Sequence, residues 1–222
     1  EMRPDRMALY NYAHLPHVFM PQRRISAAEL PPAEEKIRIL SLAIDRLTAA
    51  GYVYIGMDHF ALPEDDLALA QAGGSLQRNF QGYSTHARCD MLSFGVSAIA
   101  AVGDAYWQNR RNLEEYYASL EAGELPVFRG HRLSADDLAR REAIQELACH
   151  FRLSFDELGA RLGIDARSYF AAERGQLAEL ERDGLIESDG AAIVVTARGR
   201  LLVRMVCMAF DRYLREARGG AS

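Results

Sequence analysis

YVYIGM, residues 52–57, is a short β-branched and aromatic run of the kind that forms a buried strand, and its placement decides the fold. Upstream, Pro32 to Ala50 reads as a helix. Pro32 and Glu34–Glu35 suit a first turn, Gly51 suits the position past the end, and Ile37, Leu40, Ile44 and Leu47 recur at helical spacing. Further upstream, Met7 to Tyr12 reads as a strand, followed by the loop AHLPHVFMPQRRI. Strand, helix, strand with short joins is a βαβ unit. Its strands are expected to run parallel, with the functional edge at their C-terminal ends. That rule puts Ala13–His14 and Asp58–His59 at the same edge. An aspartate there either faces a pocket or caps the next turn, and the sequence leaves both readings open.

Downstream, Pro63 to Ala72 reads as a short helix with Glu64, Asp65 and Asp66 in its first turn. NFQGYSTHARCD, residues 79–90, has little periodicity and the composition of a binding loop. FGVSAIAAVGD reads as a packed, strand-like segment, Arg110 to Ala122 as a helix closed by Gly123, and Leu125 to Arg132 as a link. The texture changes at Ser134. Helices are expected over Leu138–Phe151, Ser154–Leu162 and Asp165 to about Asp183. A hairpin about Asp189–Gly190 and a final helix over Ala197–Arg215 follow. Three helices and a hairpin make a winged-helix-like arrangement. The expected organisation is α/β plus mainly α, with domains at 1–128 and 129–222 and only a GGAS tail of low complexity.

The 222 residues carry a net charge of −5, with 49% hydrophobic residues. That balance does not suggest a general binder of nucleic acid or anionic membranes. The expected recognition helix, 167–183, bears Arg167, Arg174 and Arg182 against Glu173, Glu179, Glu181 and Asp183, a poor match to a phosphate surface. No apolar run reaches the length of a membrane span. Cys89, Cys149 and Cys207 are far apart and form no CxxC pair, so the default compartment is a reducing cytoplasm. Six histidines show no HExxH and no cysteine cluster, so no metal site is expected within the chain.

Several stretches together carry a family resemblance: YAHLP (12–16), PQRRI (21–25), GYVYIGMDHFALPEDDLA (51–68), RNFQGYST (78–85), GVSAIAAVGDAYWQN (95–109) and TARGRLLVRMVCMAFDRYL (196–214). In combination they resemble the oxygen-independent coproporphyrinogen III oxidases, radical S-adenosylmethionine enzymes of haem biosynthesis. The resemblance implies the last βα units of a TIM-like three-quarter barrel, followed by the helical C-terminal domain. The family's CxxxCxxC, which holds a [4Fe–4S] cluster, is absent, as are its glycine-rich and acidic S-adenosylmethionine contacts. The chain therefore looks like a C-terminal fragment, inactive alone and binding no cofactor by itself. It is expected to self-associate through the cut barrel.

In the whole family enzyme, a 5′-deoxyadenosyl radical takes a hydrogen from the β-carbon of a propionate. Loss of carbon dioxide and an electron leaves a vinyl group, twice per substrate, giving protoporphyrinogen IX from coproporphyrinogen III. By resemblance, Ala13 and Ile99 line the S-adenosylmethionine site, and Phe80 and Gln81, with Ile99, contact a second S-adenosylmethionine. The substrate carries four propionates, which makes arginine their natural partner. The candidates are Arg78, Arg23 and Arg24, with Tyr12, Asp58 and His59 as possible pocket-lining groups. No residue of the chain is expected to be catalytic. Two other readings stay open: a haem-carrying relative of the family, and a winged-helix module that binds nucleic acid or protein.

Overall fold

Strand β1, Arg6–Ala8, is followed by an exposed loop containing short 3-10 turns at Met20–Arg24 and Ala27–Glu29. The chain then forms helix α1, Ala33–Ala49, strands β2, Val53–Gly56, and β3, His59–Ala61, and helix α2, Asp66–Ala72. These come from a computed structural model that describes residues 2–87 and 89–219. Arg88 in the 79–90 loop and the end of the GGAS tail lie outside the described residues. β1 and β2 run the same way, as a βαβ unit requires, but they are not neighbours. β3 lies between them, antiparallel to both, pairing Met7 with Phe60 on one side and Tyr54 with Phe60 on the other. The tight turn at Met57–Asp58 makes this possible, with Met57 at φ 53°. α2 starts later than its acids suggest, because the Asp65 side chain caps it by accepting from the Leu67 N–H.

The stripe of α1 is only half used. Ile44 and Leu47 pack on Tyr52, Phe60 and Leu62, whereas Ile37 is 47% exposed and no α1 residue is fully buried. A second cluster, Ile55, Ala61, Leu67 and Leu76, joins β2, β3 and α2 to Cys149.

The expected loop at 79–90 opens with a hairpin, β4 (Gln77–Asn79) and β5 (Gly82–Ser84). A three-stranded antiparallel sheet follows: β6 (Ile99–Val102), β7 (Ala105–Asn109) and β8 (Val127–Arg132), with helix α3 (Leu113–Glu121) between the last two. The expected link at 125–132 is thus a strand. Its sequence hid this because β8 lies largely exposed and shows no apolar alternation.

The remaining elements are α4 (Ala135–His150), β9 (Arg152–Ser154), α5 (Phe155–Leu162), α6 (Ala166–Tyr169), α7 (Arg174–Arg182), β10 (Ile186–Ser188), β11 (Ala192–Val195), α8 (Ala197–Leu201), α9 (Val203–Met208) and α10 (Arg212–Gly219). α4 begins in a full capping box between Ser134 and Asp137. Two helices expected to be continuous are broken. Between α6 and α7, Phe170 and Glu173 both turn inward, and Glu173 is fully buried. Between α8 and α9, Gly199 presses on the backbone of Leu185. A Cβ at Gly199 would sit 1.9 Å from the Leu185 carbonyl oxygen, so the chain kinks after it to bury Val203, Val206 and Phe210. These side chains join Leu147, Phe151, Leu158 and Ile193 in the largest core.

Candidate functional site

The β4–β5 hairpin presents Phe80 and Gln81 at its tip. Asn79 shapes the turn by accepting the Gln81 N–H at 2.8 Å, and Gly82 supplies the φ of 125° that follows. Arg78 and Tyr83 face each other across the strands, with the Arg78 guanidinium 5.0 Å above the Tyr83 ring. The Tyr83 hydroxyl donates to the Ala148 carbonyl at 2.9 Å, which ties the hairpin to α4. Burial, above all, pushes the Tyr83 hydroxyl well above its ordinary range, so it remains a proton donor. Gly56 lets it approach: a Cβ there would lie 2.6 Å from the Tyr83 oxygen.

Asp58 and His59 stand behind the hairpin. The His59 Nδ1 is 2.8 Å from a carboxylate oxygen of Asp58, which is itself 9% exposed. The His59 ring meets Tyr83 edge-on at 5.3 Å and faces Gly82. This arrangement fixes the imidazole and lets it buttress the hairpin. Asp58 holds His59, and the cap of α2 is Asp65.

Phe80 is 53% exposed and packs edge-to-face on Tyr106 at 5.1 Å. With Ile99, Gln108 and Arg129 it lines a cavity of about 270 Å³. A larger cavity, of about 480 Å³, also reaches Phe80 and Tyr106 and includes Arg78. The structure therefore brings Phe80, Ile99 and Arg78 to adjoining cavities, with Gln81 beside Phe80 at the tip.

The other sequence candidates form a separate group. Their loop leaves β1 beside Asp58–His59, where the Leu9 N–H donates to the Asp58 carbonyl at 2.7 Å and Tyr10 meets His59 at 6.4 Å. Gln22 closes this loop, donating to the Ala13 carbonyl at 3.0 Å and accepting the Leu15 N–H. Tyr12 is half exposed and bonds His14, Arg23 donates to the Pro16 carbonyl, and Arg24 is exposed. Neither cavity at the hairpin includes Tyr12, Ala13, Arg23 or Arg24. Sequence reasoning did not single out Tyr83, Tyr106, Arg141 or Gln145. The tyrosines lay inside quoted motifs, but nothing local marked the two α4 residues.

The cysteines do not suit an iron–sulfur cluster. Cys149 and Cys207 are buried, burial pushes both thiols up to about 12, and Cys89 is exposed. Among the described residues no three His, Cys, Asp or Glu side chains are placed to hold a metal ion. The apolar and aromatic walls of the smaller cavity, with the Gln81 amide nearby, do fit a nucleoside or methionyl group.

Residues 133–202 match the family model described as the HemN C-terminal domain. The oxygen-independent coproporphyrinogen III oxidase of Thermostichus vulcanus is 42% identical over 217 residues, and the chain covers 67% of it. This chain belongs to the oxygen-independent coproporphyrinogen III oxidase family. The family's Pseudomonas aeruginosa member is 53% identical over 213 residues, covering 96% of this chain and 46% of that protein. A solved structure, coproporphyrinogen III oxidase (HemN) from Escherichia coli, is described as a radical SAM enzyme. It matches with a TM-score of 0.91 and 46% identity, over 95% of this chain and 49% of that one. The chain thus spans about half the length of those two oxidases and shares the fold of the solved one over that span. No helix among the described residues is long and apolar enough to cross a membrane.

Proposed function

We propose that this chain serves an anaerobic oxidative decarboxylase that converts coproporphyrinogen III to protoporphyrinogen IX, and that it is inactive without the further length present in its relatives. The observation that carries this reading is the cavity shared by Phe80 and Ile99 at the tip of a hairpin pinned by Tyr83. In this reading Ala13 and Ile99 serve one S-adenosylmethionine, while Phe80 and Ile99 supply the apolar walls and Gln81 an amide for a second. Bound S-adenosylmethionine, with a cluster held outside this chain, supplies the one-electron chemistry. The chain's own residues bind, orient and exclude water, which a reaction through a radical requires.

Residues 1–128 then form the barrel-side domain and residues 129–222 the helical domain. All buried members of the largest core cluster come from residues 139–210, while β8 (Val127–Arg132) runs across this boundary and Cys149 packs with the barrel-side cluster. The exposed apolar side chains of α1 and the preceding loop would pack on the additional length of the relatives. Three free cysteines suit a reducing cytoplasm.

The test is to join this chain to the cluster-bearing part of the Pseudomonas aeruginosa oxidase and reconstitute iron and sulfide anaerobically. S-Adenosylmethionine, a reductant and coproporphyrinogen III are then added. Protoporphyrinogen is expected, and Phe80→Ala or Gln81→Ala should cut its rate at least tenfold. S-Adenosylmethionine cleavage without decarboxylation would overturn this function and favour the haem-carrying relatives.

A further inference from the structure

The cavity of about 480 Å³ meets the smaller one at the Phe80–Tyr106 ring pair, and three arginines reach it from three elements: Arg78 on β4, Arg141 on α4 and Arg161 near the end of α5. Arg161 is already neutralised, 2.7 Å from Glu146. Among the described residues, Arg78 and Arg141 have no carboxylate partner. Arg141 donates only to the Tyr106 hydroxyl, at 3.3 Å. Arg78 lies over Tyr83, and its Nη1 is buried with no acceptor. A buried guanidinium N–H without an acceptor is costly, and a carboxylate is the acceptor that matches its geometry.

The acids at this cavity do not fill that role. Asp90 accepts the Gly103 N–H at 2.8 Å, and Glu142 is within salt-bridge distance of neither arginine. Glu142 instead offers an acceptor to an N–H donor. Carboxylate arms and N–H donors on one apolar body are the chemistry of a reduced tetrapyrrole with propionate side chains.

We propose that this cavity seats a propionate arm of the tetrapyrrole substrate, with Arg78 and Arg141 as its two guanidinium partners. This rests on the function proposed above and adds the site to it. A substrate with four propionates of which two react must be held by those that are not reacting. Two arginines on separate, mutually tied elements provide a fixed grip beside the hairpin tip.

A carboxylate also ends the methionyl part of S-adenosylmethionine, so the test separates the two sources. The 222-residue chain is titrated with coproporphyrin III, the aromatic form bearing the same four propionates, and binding is read by fluorescence. Arg141→Gln should weaken binding about tenfold, as expected for one lost charge-assisted pair, and Arg141→Lys less. The tetramethyl ester should bind the wild type and Arg141→Gln alike, and excess S-adenosylmethionine should not displace coproporphyrin III. Arg141 is the primary position because Arg78→Gln also removes the stacking on Tyr83; an unchanged melting temperature for Arg141→Gln confirms its fold.

Wild-type affinity in both Arg141→Gln and Arg78→Gln, or no coproporphyrin binding by the folded chain, would overturn the assignment. So would displacement by S-adenosylmethionine whose own binding is lost in Arg141→Gln. The decarboxylation assay judges the function separately. An active joined enzyme whose KM is unchanged by Arg141→Gln would remove this site and leave the function standing.

Discussion

The side-chain amide of Gln145 holds both backbone polar groups of Arg78, accepting its N–H at 3.0 Å and donating to its carbonyl. A helix side chain thus acts as one more strand position on the hairpin, 67 residues away in sequence. With the Tyr83–Ala148 bond, it couples the hairpin tip to α4. Gln145→Leu has nearly the same bulk and no amide, so it leaves two partly buried backbone groups unpaired. A loss of about 1–3 kcal/mol is expected in urea denaturation, with faster hydrogen exchange at the Arg78 amide. Unchanged exchange there would show that the hairpin holds itself.

Glu173 is fully buried, and one of its oxygens accepts from Arg140 at 2.8 Å and Arg215 at 2.6 Å. Arg140 also reaches the Phe210 carbonyl, so the network joins α4, the turn before α7, and the last helices. Glu173→Leu removes the buried carboxylate shared by Arg140 and Arg215, but Arg140 keeps Asp136 at 2.9 Å, so the expected cost is about 1–3 kcal/mol. Adding Arg140→Met should recover part of that loss in a double-mutant cycle. Simple additivity of the two changes would mean that the pair is not coupled.

The elements legible in the sequence are those fixed by local chemistry. Ser134–Asp137, Ser154 with Glu157, Gly163 and Asp189–Gly190 are cap and turn signals between neighbouring residues, and the structure forms a cap or turn at each, although α4 starts at Ala135, ahead of the expected Leu138. Decisions made at long range were not legible. β3 inserts between β1 and β2 by pairing with residues over 50 positions away, and β8 pairs with β7 while lying mostly exposed. The helix breaks at Phe170–Glu173 and Leu202 follow from what must be buried, against good local helix propensity. The same division holds at the site. Phe80, Gln81 and Ile99 stood in motifs, but Gln145 and Arg141 take their meaning only from α4 packing beneath the hairpin.

Asp137 gives the helical part a defined acid dependence. Burial works to raise its carboxyl, but bonds from the Ser134 hydroxyl and N–H, with Arg212 alongside, outweigh it and hold the pKa at about 2. A folded value below the unfolded one of about 3.9 means that the contribution is complete above about pH 4. It is lost as pH falls toward about 2. Asp137→Asn should cost about 1 kcal/mol at pH 7 through the weakened capping box. The gap from wild type should close between about pH 4 and 2 in parallel denaturation curves. A gap that stays constant through that window would assign the stabilisation to shape rather than charge.

Leu42 on α1 and Phe19 in the preceding loop are 52% and 53% exposed, alongside Val18, Met20, Ile37 and Ile39. So many large apolar side chains in one short stretch of chain favour association. The α1 residues divide between two faces: Ile44 and Leu47 serve the core under β2 and β3, while Ile39 and Leu42 contribute nothing to it. Light scattering of the chain by itself should therefore show dimers or larger species whose mass rises with concentration. Leu42→Glu with Phe19→Ser should shift it toward the monomer. Because both side chains are half exposed, the melting temperature measured in the dilute, monomeric range should change little. A wild-type chain that stays monomeric at high concentration would show that this apolar surface is not adhesive.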